Sequence, residues 1–450
     1  MVDTPDTPLP RVALLGHDAY TTMVSSAGSG FSRHGDVAVN RWRNDGTRDN
    51  YGQWCYVNDL SSGAVWSAGH QPVCAAASSY LVTMAPERVT IHRRDGSFET
   101  RTDIVVVPGS AAESRRVIVT NTSEVDAEIE VTSYQEIVLA MPVLDRGHRA
   151  FSNLFVQTEW LPRAGSILAM RRPRSKEVKP GWGGHSIAVE SGAGSISSET
   201  DRSKFIGRGR TSRNPVAMDN PGDLSCSAGA VLDPVFALRA RLSIPAGESK
   251  QVIFTTFVAN DHDDAGGLAA SFHDFATAAK AFDPAEGDGN SSKGPAPSEA
   301  ALYQDLAGVL LYGVRPAGSL PNNLQSLSTR TDLLDLGLTG EWPIVLATVA
   351  SRENVDRVIE LLDMHRYWST RGIGADLVIL CSAGADDRQL HDDIVSIVAA
   401  SDWSSVLDRP QGVFVRATDS LREQDTALLE SIARIRVDCT RDTLIGAAGV

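Results

Sequence analysis

Four arginines, three aspartates and Trp42 lie in one stretch near the start of the chain, residues 27–49. Arginine and aspartate exchange hydrogen bonds with sugar hydroxyls, and a tryptophan ring packs on the apolar face of a pyranose. These residue types indicate a carbohydrate-binding surface, unless the tryptophans belong to a sandwich core and the charges form a solvated rim. The residues that we expect to bind sugar are Arg41, Trp42, Arg43, Asp45, Arg48, Asp49 and Trp66, followed by Trp182.

Trp182 differs from the others because glycines surround it, in the sequence Gly181-Trp-Gly-Gly184. The glycines predict a loop that is too small to bury the indole ring. The ring then either stacks on a sugar or packs against its own loop, and the sequence leaves both alternatives open.

Other residues suggest chemistry only weakly. Glu136 and Glu159 lie in strand-like segments, and a glycosidase needs two carboxylates about 5–10 Å apart, but nothing places these two in one cleft. The basic, glycine-rich segment 205–213 is either an anion site or an exposed turn. The histidines lack metal-site spacing, so we expect no metal. No GxGxxG motif follows the first strand-like run of the α/β segment, so we expect no nucleotide cofactor.

The overall composition excludes several classes of partner. A net charge of −14 over 450 residues argues against binding to nucleic acid or to an anionic membrane. The five cysteines are odd in number and widely spaced, which is typical of reduced thiols in a cytoplasmic protein. The N-terminus has no basic and apolar leader, and no apolar run approaches the roughly 20 residues of a membrane span.

The elements that must position these residues divide the chain into three predicted segments. Over residues 1–262 short period-two runs alternate with turn clusters, such as Asp95-Gly96, which predicts a large antiparallel β-sandwich. Residues 263–340 have helical spacing and predict a helical linker with a flexible part at 283–297. Residues 341–450 alternate strand and helix, which predicts a small βαβ domain with a parallel sheet.

Three early motifs resemble the opening β-sandwich of glycoside hydrolase family 94, formerly glycosyltransferase family 36. They are Gly28-Ser-Gly-Phe-Ser-Arg33, Arg41-Trp-Arg-Asn-Asp-Gly-Thr-Arg-Asp49 and Val65-Trp-Ser-Ala-Gly69. The likeness continues in order through Glu128–Ala140 and Gly340–Leu346 to Asp376–Leu380. It is greatest to the cyclic β-1,2-glucan synthase branch of the family.

The resemblance implies a wide two-sheet supersandwich at the N-terminus. It also implies that catalysis belongs to an Asp on an (α/α)₆ barrel, for which we expect no room in this chain. We therefore expect a non-catalytic region that binds or positions a β-glucan oligosaccharide. The alternative is a transferase or phosphorylase fragment that is active only with a partner barrel. The family further implies a homodimer or a barrel-bearing partner chain.

Overall fold

The computed structural model describes residues 1–17, 19–173, 181–190, 194–283, 295–313, 330–382, 387–400 and 404–440. The chain forms two compact units, residues 1–292 and 293–450. Most of the predicted flexible segment 283–297 lies outside the described residues. No helix in the described part of the chain combines the length and the apolar character needed to cross a lipid bilayer.

The first unit consists mainly of β-strands. In chain order they are β1 (Val12–His17), β2 (Tyr20–Ser25), β3 (Gly30–His34), β4 (Val37–Asn40), β5 (Gln53–Asp59), β6 (Val65–Ser67), β7 (Ser79–Met84), β8 (Val89–Asp95), β9 (Phe98–Val106), β10 (Ala112–Asn121), β11 (Ala127–Ala140), β12 (Val156–Leu161), β13 (Ser166–Arg171), β14 (Gly181–Val189), β15 (Ile196–Asp201), β16 (Pro234–Ile244) and β17 (Ser249–Ala259).

These strands form two antiparallel sheets. Within the described residues the first sheet has the order β1-β2-β3-β4-β11-β16-β15, and β5 pairs with both β11 and β6. The second sheet has the order β12-β13-β14-β17-β10-β9-β8-β7. The predicted antiparallel supersandwich is therefore confirmed, including a hairpin between β8 and β9 in which Gly96 has a φ of 57°.

The inner faces of the two sheets share one apolar core. Alternate residues of a strand point to the same face, so Ile129 and Val131 of β11 are both buried there. They belong to one cluster with Val117 of β10 and Phe254 of β17, which lie in the opposite sheet. The period-two pattern in the sequence thus becomes a sandwich core.

His185 of β14 joins the two sheets inside this core. Its ring stacks between Phe236 and Phe254, with centroids 5.7 and 5.9 Å away. Its ring nitrogens hydrogen-bond with the hydroxyls of Ser133, at 2.8 Å, and Thr256, at 2.9 Å. Burial, with a smaller effect of Arg115, lowers the pKa of His185 to about 3, so the ring is neutral at physiological pH.

Most described α-helices of the first unit are short, with α4 the exception, and the longest described helices are in the second unit. In chain order they are α1 (Pro142–Gly147), α2 (Arg149–Asn153), α3 (Arg202–Ile206), α4 (His262–His273), α5 (Phe275–Ala279), α6 (Pro297–Tyr312), α7 (Arg330–Asp335), α8 (Val355–Ser369), α9 (Asp387–Ala400) and α10 (Glu423–Ile432). Short 3₁₀ helices occupy Pro162–Ala164, Val216–Met218, Lys280–Phe282, Arg352–Asn354, Ser404–Val406 and Thr418–Ser420.

Helices α4 and α5, which the sequence places in the linker, pack on the second sheet within the first unit. Ala265, Ala269 and Phe272 of α4 share a core cluster with Leu168 and Phe257. The helical stretch is interrupted at Asp274, whose side chain accepts a hydrogen bond from the Thr277 amide and caps α5. The apolar spacing predicts one helix, but the cap at Asp274 divides it into α4 and α5.

The second unit contains the predicted small parallel sheet. Its strands are β18 (Ile344–Val349), β19 (Asp376–Cys381), β20 (Val413–Ala417) and β21 (Ile435–Asp438), in the order β20-β19-β18-β21. All pairs are parallel, and helices α8, α9 and α10 lie between successive strands along the chain. The predicted βαβ region is confirmed.

A buried carboxyl group in β19 gives the second unit a pH-dependent stability. Burial raises the pKa of Asp376 to about 6. The backbone amide of Gln411 donates to Oδ1 and offsets part of this rise. Its Oδ2 atom is buried without a hydrogen-bond partner. Because the folded pKa lies above the usual unfolded value of about 3.9, folding favours the protonated form, and stability falls as the pH rises through about 6.

We expect Asp376→Asn to raise the melting temperature of the second unit at about pH 8, and to have little effect near pH 4. The amide keeps the shape of the carboxyl group but cannot ionise. Calorimetric melting over this pH range measures the effect, with Asp392→Asn, a change at a side chain that is 79% exposed, as the control. An unchanged or lower melting temperature at the higher pH would contradict the prediction.

Candidate functional site

A cleft of about 140 Å³ on the first unit brings arginine and aromatic side chains together. Its residues come from the segment before β5, from β11, from α2 and α3, and from the loop after α3. Glu136 of β11 is its central carboxylate. The residues that line the cleft are Arg41, Asn50, Tyr51, Gly52, Trp54, Tyr134, Glu136, Arg149, Arg202, Arg210, Thr211 and Ser212.

Three arginines converge on Glu136. Arg41 donates from Nη1 at 2.5 Å, Arg202 donates from Nε at 2.6 Å, and Nη2 of Arg149 lies 3.5 Å away. The hydroxyl of Tyr134 donates to the same carboxylate at 3.3 Å. Arg41 is positioned by the sheet itself, because its backbone amide donates to the Glu136 carbonyl immediately after β4.

The arginines keep Glu136 ionised. Burial alone would raise the pKa of this carboxyl group, but the charges of Arg41, Arg149 and Arg202 together lower it below its usual value. A carboxylate held by several cations accepts hydrogen bonds but does not act as a proton donor near neutral pH. Glu136 is therefore suited to binding or to structure, and not to general acid catalysis.

A second buried carboxylate extends the cluster to α1. Asp145 accepts from Arg41 Nη2 at 2.8 Å and from Arg43 Nη2 at 2.5 Å. Burial by itself would raise the pKa of Asp145. The hydrogen bonds and charges of both arginines outweigh burial and lower this pKa below its usual value. Asn153 of α2 also accepts from Arg41, at 3.0 Å. Arg41 thus holds both short helices against the first sheet.

The arginines that line the cleft are all paired. Each forms an ion pair with a carboxylate of the chain, so none of them is without an anionic partner. Because an anion would have to compete with these carboxylates, the cleft is better suited to a neutral, hydroxyl-rich ligand. The pairs are Arg41 with Glu136 and Asp145, Arg149 with Asp233, Arg202 with Glu136, and Arg210 with Asp219.

Among the residues that the structure describes, no three His, Cys, Asp or Glu side chains come close enough to hold a metal ion. The cleft offers guanidinium donors, one carboxylate and aromatic side chains. These groups can bind and orient a ligand.

Comparison with known proteins identifies the family. Residues 1–275 match the glycosyl hydrolase 94 supersandwich domain. The chain belongs to this family. Family 94 membership agrees with the two-sheet architecture of the first unit and with the resemblance of residues 28–69.

Two relatives give the extent of this likeness. The cyclic beta-(1,2)-glucan synthase NdvB of Rhizobium meliloti (strain 1021) is 30% identical over 396 residues, which cover 84% of this chain and 14% of the relative. The N,N'-diacetylchitobiose phosphorylase of Vibrio proteolyticus is 24% identical over 253 residues, which cover 55% of this chain and 31% of the relative. The chain thus matches less than a third of either relative's length.

A solved structure shows only a distant likeness. The galactose mutarotase related enzyme of Lactobacillus acidophilus has a TM-score of 0.30 at 10% identity. The matched region covers 56% of this chain and 99% of that enzyme. Such a low score supports no comparison of sites.

Arg41, Trp42 and Arg43, which the sequence predicts to bind sugar, lie in or beside the cleft of this family 94 chain. Arg41 lines it, and Arg43 is joined to the same cluster through Asp145. The ring of Trp42 is half-buried and lies edge-on to Phe31, with centroids 5.5 Å apart. That these residues contact sugar stays a prediction.

Asp45, Arg48 and Asp49, which are also predicted to bind sugar, lie in a turn that leads into the cleft. Asp45 accepts hydrogen bonds from the Thr47 hydroxyl and from two backbone amides, which lower its pKa. The side chain of Arg48 is 76% exposed. Asp49, at a φ of 43°, accepts from the hydroxyls of Ser25 and Ser29. Asp45 and Asp49 therefore have clear structural roles, and their contact with sugar also stays a prediction.

Trp66 lies in the sandwich core. It is 3% exposed, its indole donates to Thr100 at 3.1 Å, and its ring packs on Phe98. Trp66 also lines a separate cavity of about 520 Å³, and its contact with sugar stays a prediction.

Trp182 lies in strand β14, which corrects the prediction of a loop. Its ring is edge-on to His262, with centroids 5.1 Å apart. The glycines that suggested a loop are needed for packing, since a Cβ atom at Gly184 would lie 2.3 Å from the Phe257 ring. A glycine inside a strand allows this close approach.

Several cleft residues have no clear signal in the sequence. Tyr51 and Trp54 are close together in the chain, but Arg149 and Arg202 come from distant segments, and only the fold brings them to the cleft. The basic segment 205–213 is the exception, because Arg210, Thr211 and Ser212 line the cleft. Glu159, the other candidate carboxylate, lies on the second sheet and pairs with His262 at 3.1 Å.

We expect Glu136→Gln to lower the free energy of unfolding of the first unit by roughly 3 kcal/mol. The amide has nearly the same shape but leaves the partly buried guanidinium groups without their shared anion. Urea unfolding at neutral pH measures the loss. A change as small as that of the control below would show that the cluster contributes little to stability.

Glu159→Gln is the matched control. Glu159 and its partner His262 are about half exposed, with side-chain exposures of 50% and 53%. Exposed ion pairs contribute little, so this substitution should cost less than about 1 kcal/mol.

Proposed function

We propose that the supersandwich unit binds a β-glucan oligosaccharide in the Glu136 cleft and positions it without turnover of its own. The ligand would also contact the turn that contains Trp42 and Arg48, because Asn50 and Tyr51 of the cleft directly follow that turn. The cytoplasmic location predicted from the cysteines is part of this proposal.

One observation carries the proposal: the cleft combines the half-buried Tyr51 ring with arginines that are already paired with carboxylates. Paired guanidinium groups keep donor hydrogens that can bind hydroxyls, and the Tyr51 ring supplies apolar contact, with the buried rings of Trp54 and Tyr134 behind it. The names of the relatives, a cyclic beta-(1,2)-glucan synthase and a diacetylchitobiose phosphorylase, agree with a sugar ligand.

Calorimetric titration with linear and cyclic β-1,2-glucans tests the proposal, with cello-oligosaccharides to test linkage preference. We expect binding with a preference for the β-1,2 linkage. We expect Arg210→Ala and Arg48→Ala each to weaken it about tenfold, which corresponds to about 1.4 kcal/mol.

Arg94→Ala is the control for loss of a surface arginine. This side chain is 49% exposed and lies on the second sheet, where it pairs weakly with Glu99. Unchanged affinity in both the Arg210 and the Arg48 variants would exclude the proposed site. No heat with any glucan would exclude recognition by this chain.

A second candidate function is that the unit completes the active site of a family 94 barrel, either in a longer protein or in a partner chain. The specific observation is an exposed apolar surface next to the cleft, on and around α1 and α2. Its exposed fractions are 50% for Met141, 63% for Val143, 36% for Leu144, 52% for Phe151 and 48% for Leu154. Such clustered apolar exposure is typical of protein interfaces.

Co-purification with a family 94 barrel domain tests this candidate. We expect a complex that phosphorolyses β-linked disaccharides, and we expect Val143→Ser with Leu154→Ser to abolish it because both side chains lie on the apolar surface. Leu81→Ser, at a 38% exposed side chain of β7, is the control and should leave the complex intact. If the double variant still binds the barrel, this surface is not the interface.

A further inference from the structure

The second unit contains a cleft of about 370 Å³ to which the proposed function gives no role. It lies between helices α6 and α8, and its walls include Tyr303 of α6 and Tyr367 of α8, whose ring centroids are 5.6 Å apart. One hydrogen bond holds the Tyr367 side chain, and another holds the backbone at Tyr303. Gln304 donates to the Tyr367 hydroxyl at 2.9 Å, and the Trp368 indole donates to the Tyr303 carbonyl at 2.7 Å.

Arg371, just after α8, places an unpaired cation in this cleft. Its guanidinium carbon lies 3.8 Å from the centroid of the Tyr367 ring, in cation–π contact. Among the described residues no carboxylate forms an ion pair with it. Its Nε atom is buried without a hydrogen-bond partner, and Nη1 makes only a long contact of 3.5 Å with the Thr370 hydroxyl.

Arg371 is only partly buried, but its Nε is buried without a hydrogen-bond partner, so a ligand that accepts from this guanidinium would be favoured. Burial lowers the pKa of Arg371, and Tyr367 compensates only in part. The planar fork of an arginine matches the oxygens of a carboxylate or a phosphate. This contrasts with the Glu136 cleft, where carboxylates of the chain already occupy the guanidinium groups.

The same cleft contains two acceptors at its border. Glu299 of α6 accepts from the Ala296 amide at 2.8 Å, and Asp363 lies on α8. Carboxylates of this kind repel a bare anion but accept hydrogen bonds from hydroxyl groups. The combination favours a small ligand that has both an oxyanion and hydroxyls.

We propose that the cleft between α6 and α8 binds a small hydroxylated molecule through a phosphate or carboxylate group held by Arg371. Tyr303 and Tyr367 would pack against the body of the ligand, and Glu299 and Asp363 would accept from its hydroxyls.

Calorimetric titration of the full chain with sodium phosphate and with sodium gluconate, at constant ionic strength, tests the proposal. We expect saturable binding of at least one probe, and a dissociation constant at least tenfold higher in Arg371→Gln. Preference for phosphate or for gluconate identifies which oxyanion the cleft takes. Arg357→Gln is the matched control, because Arg357 lies on α8, the helix that ends just before Arg371, but is paired with Glu360 at 2.7 Å.

Chemical protection tests the same site in the unaltered chain, in case Arg371→Gln does not fold. Phenylglyoxal modifies accessible arginines, and mass spectrometry locates the modified residues. We expect saturating phosphate or gluconate to slow modification of Arg371 severalfold and to leave that of Arg357 unchanged. Absence of binding and of protection with both probes, or full affinity in Arg371→Gln, would overturn the proposal whatever the result of the glucan titrations.

Discussion

The convergence of three guanidinium groups on the Glu136 carboxylate is the constraint on which the cleft of the first unit depends. Removing a carboxylate from water costs several kcal/mol, a cost that is offset only when well-placed partners surround it. Arg41 follows β4, whereas Arg149 and Arg202 lie in α2 and α3, far along the chain. The charge of one residue in a central strand therefore fixes where two short helices lie on the first sheet.

The two units use arginine in opposite ways. In the Glu136 cleft every lining guanidinium has a carboxylate partner within the chain, with which an incoming anion would have to compete. In the cleft between α6 and α8, Arg371 lies on a tyrosine ring without a carboxylate partner among the described residues. Whether an arginine already has a carboxylate partner therefore matters more than how many arginines a cleft contains. Paired arginines suit the first cleft to neutral ligands, and Arg371 suits the second to oxyanions.

Much of the fold follows from local patterns in the sequence. Period-two runs predict the strands, Asp95-Gly96 predicts the β8–β9 hairpin, and alternating strand and helix predict the parallel sheet of the second unit. The errors arise where packing overrides a local pattern. Gly183 and Gly184 suggest a loop around Trp182 but instead make room for Leu139 and Phe257, and Asp274 ends a helix that apolar spacing would continue.

The sequence by itself determined the antiparallel sandwich, the parallel sheet and membership of family 94, because periodicity and local motifs specify these features. It also drew attention to Arg41 and to the basic segment that contains Arg210. Only the tertiary structure decided which residues share a cleft and which are buried, placing Trp66 in the core and Arg149 beside Glu136. The physical reason is that burial and ion pairing depend on contacts between distant segments, which spacing along the chain does not record.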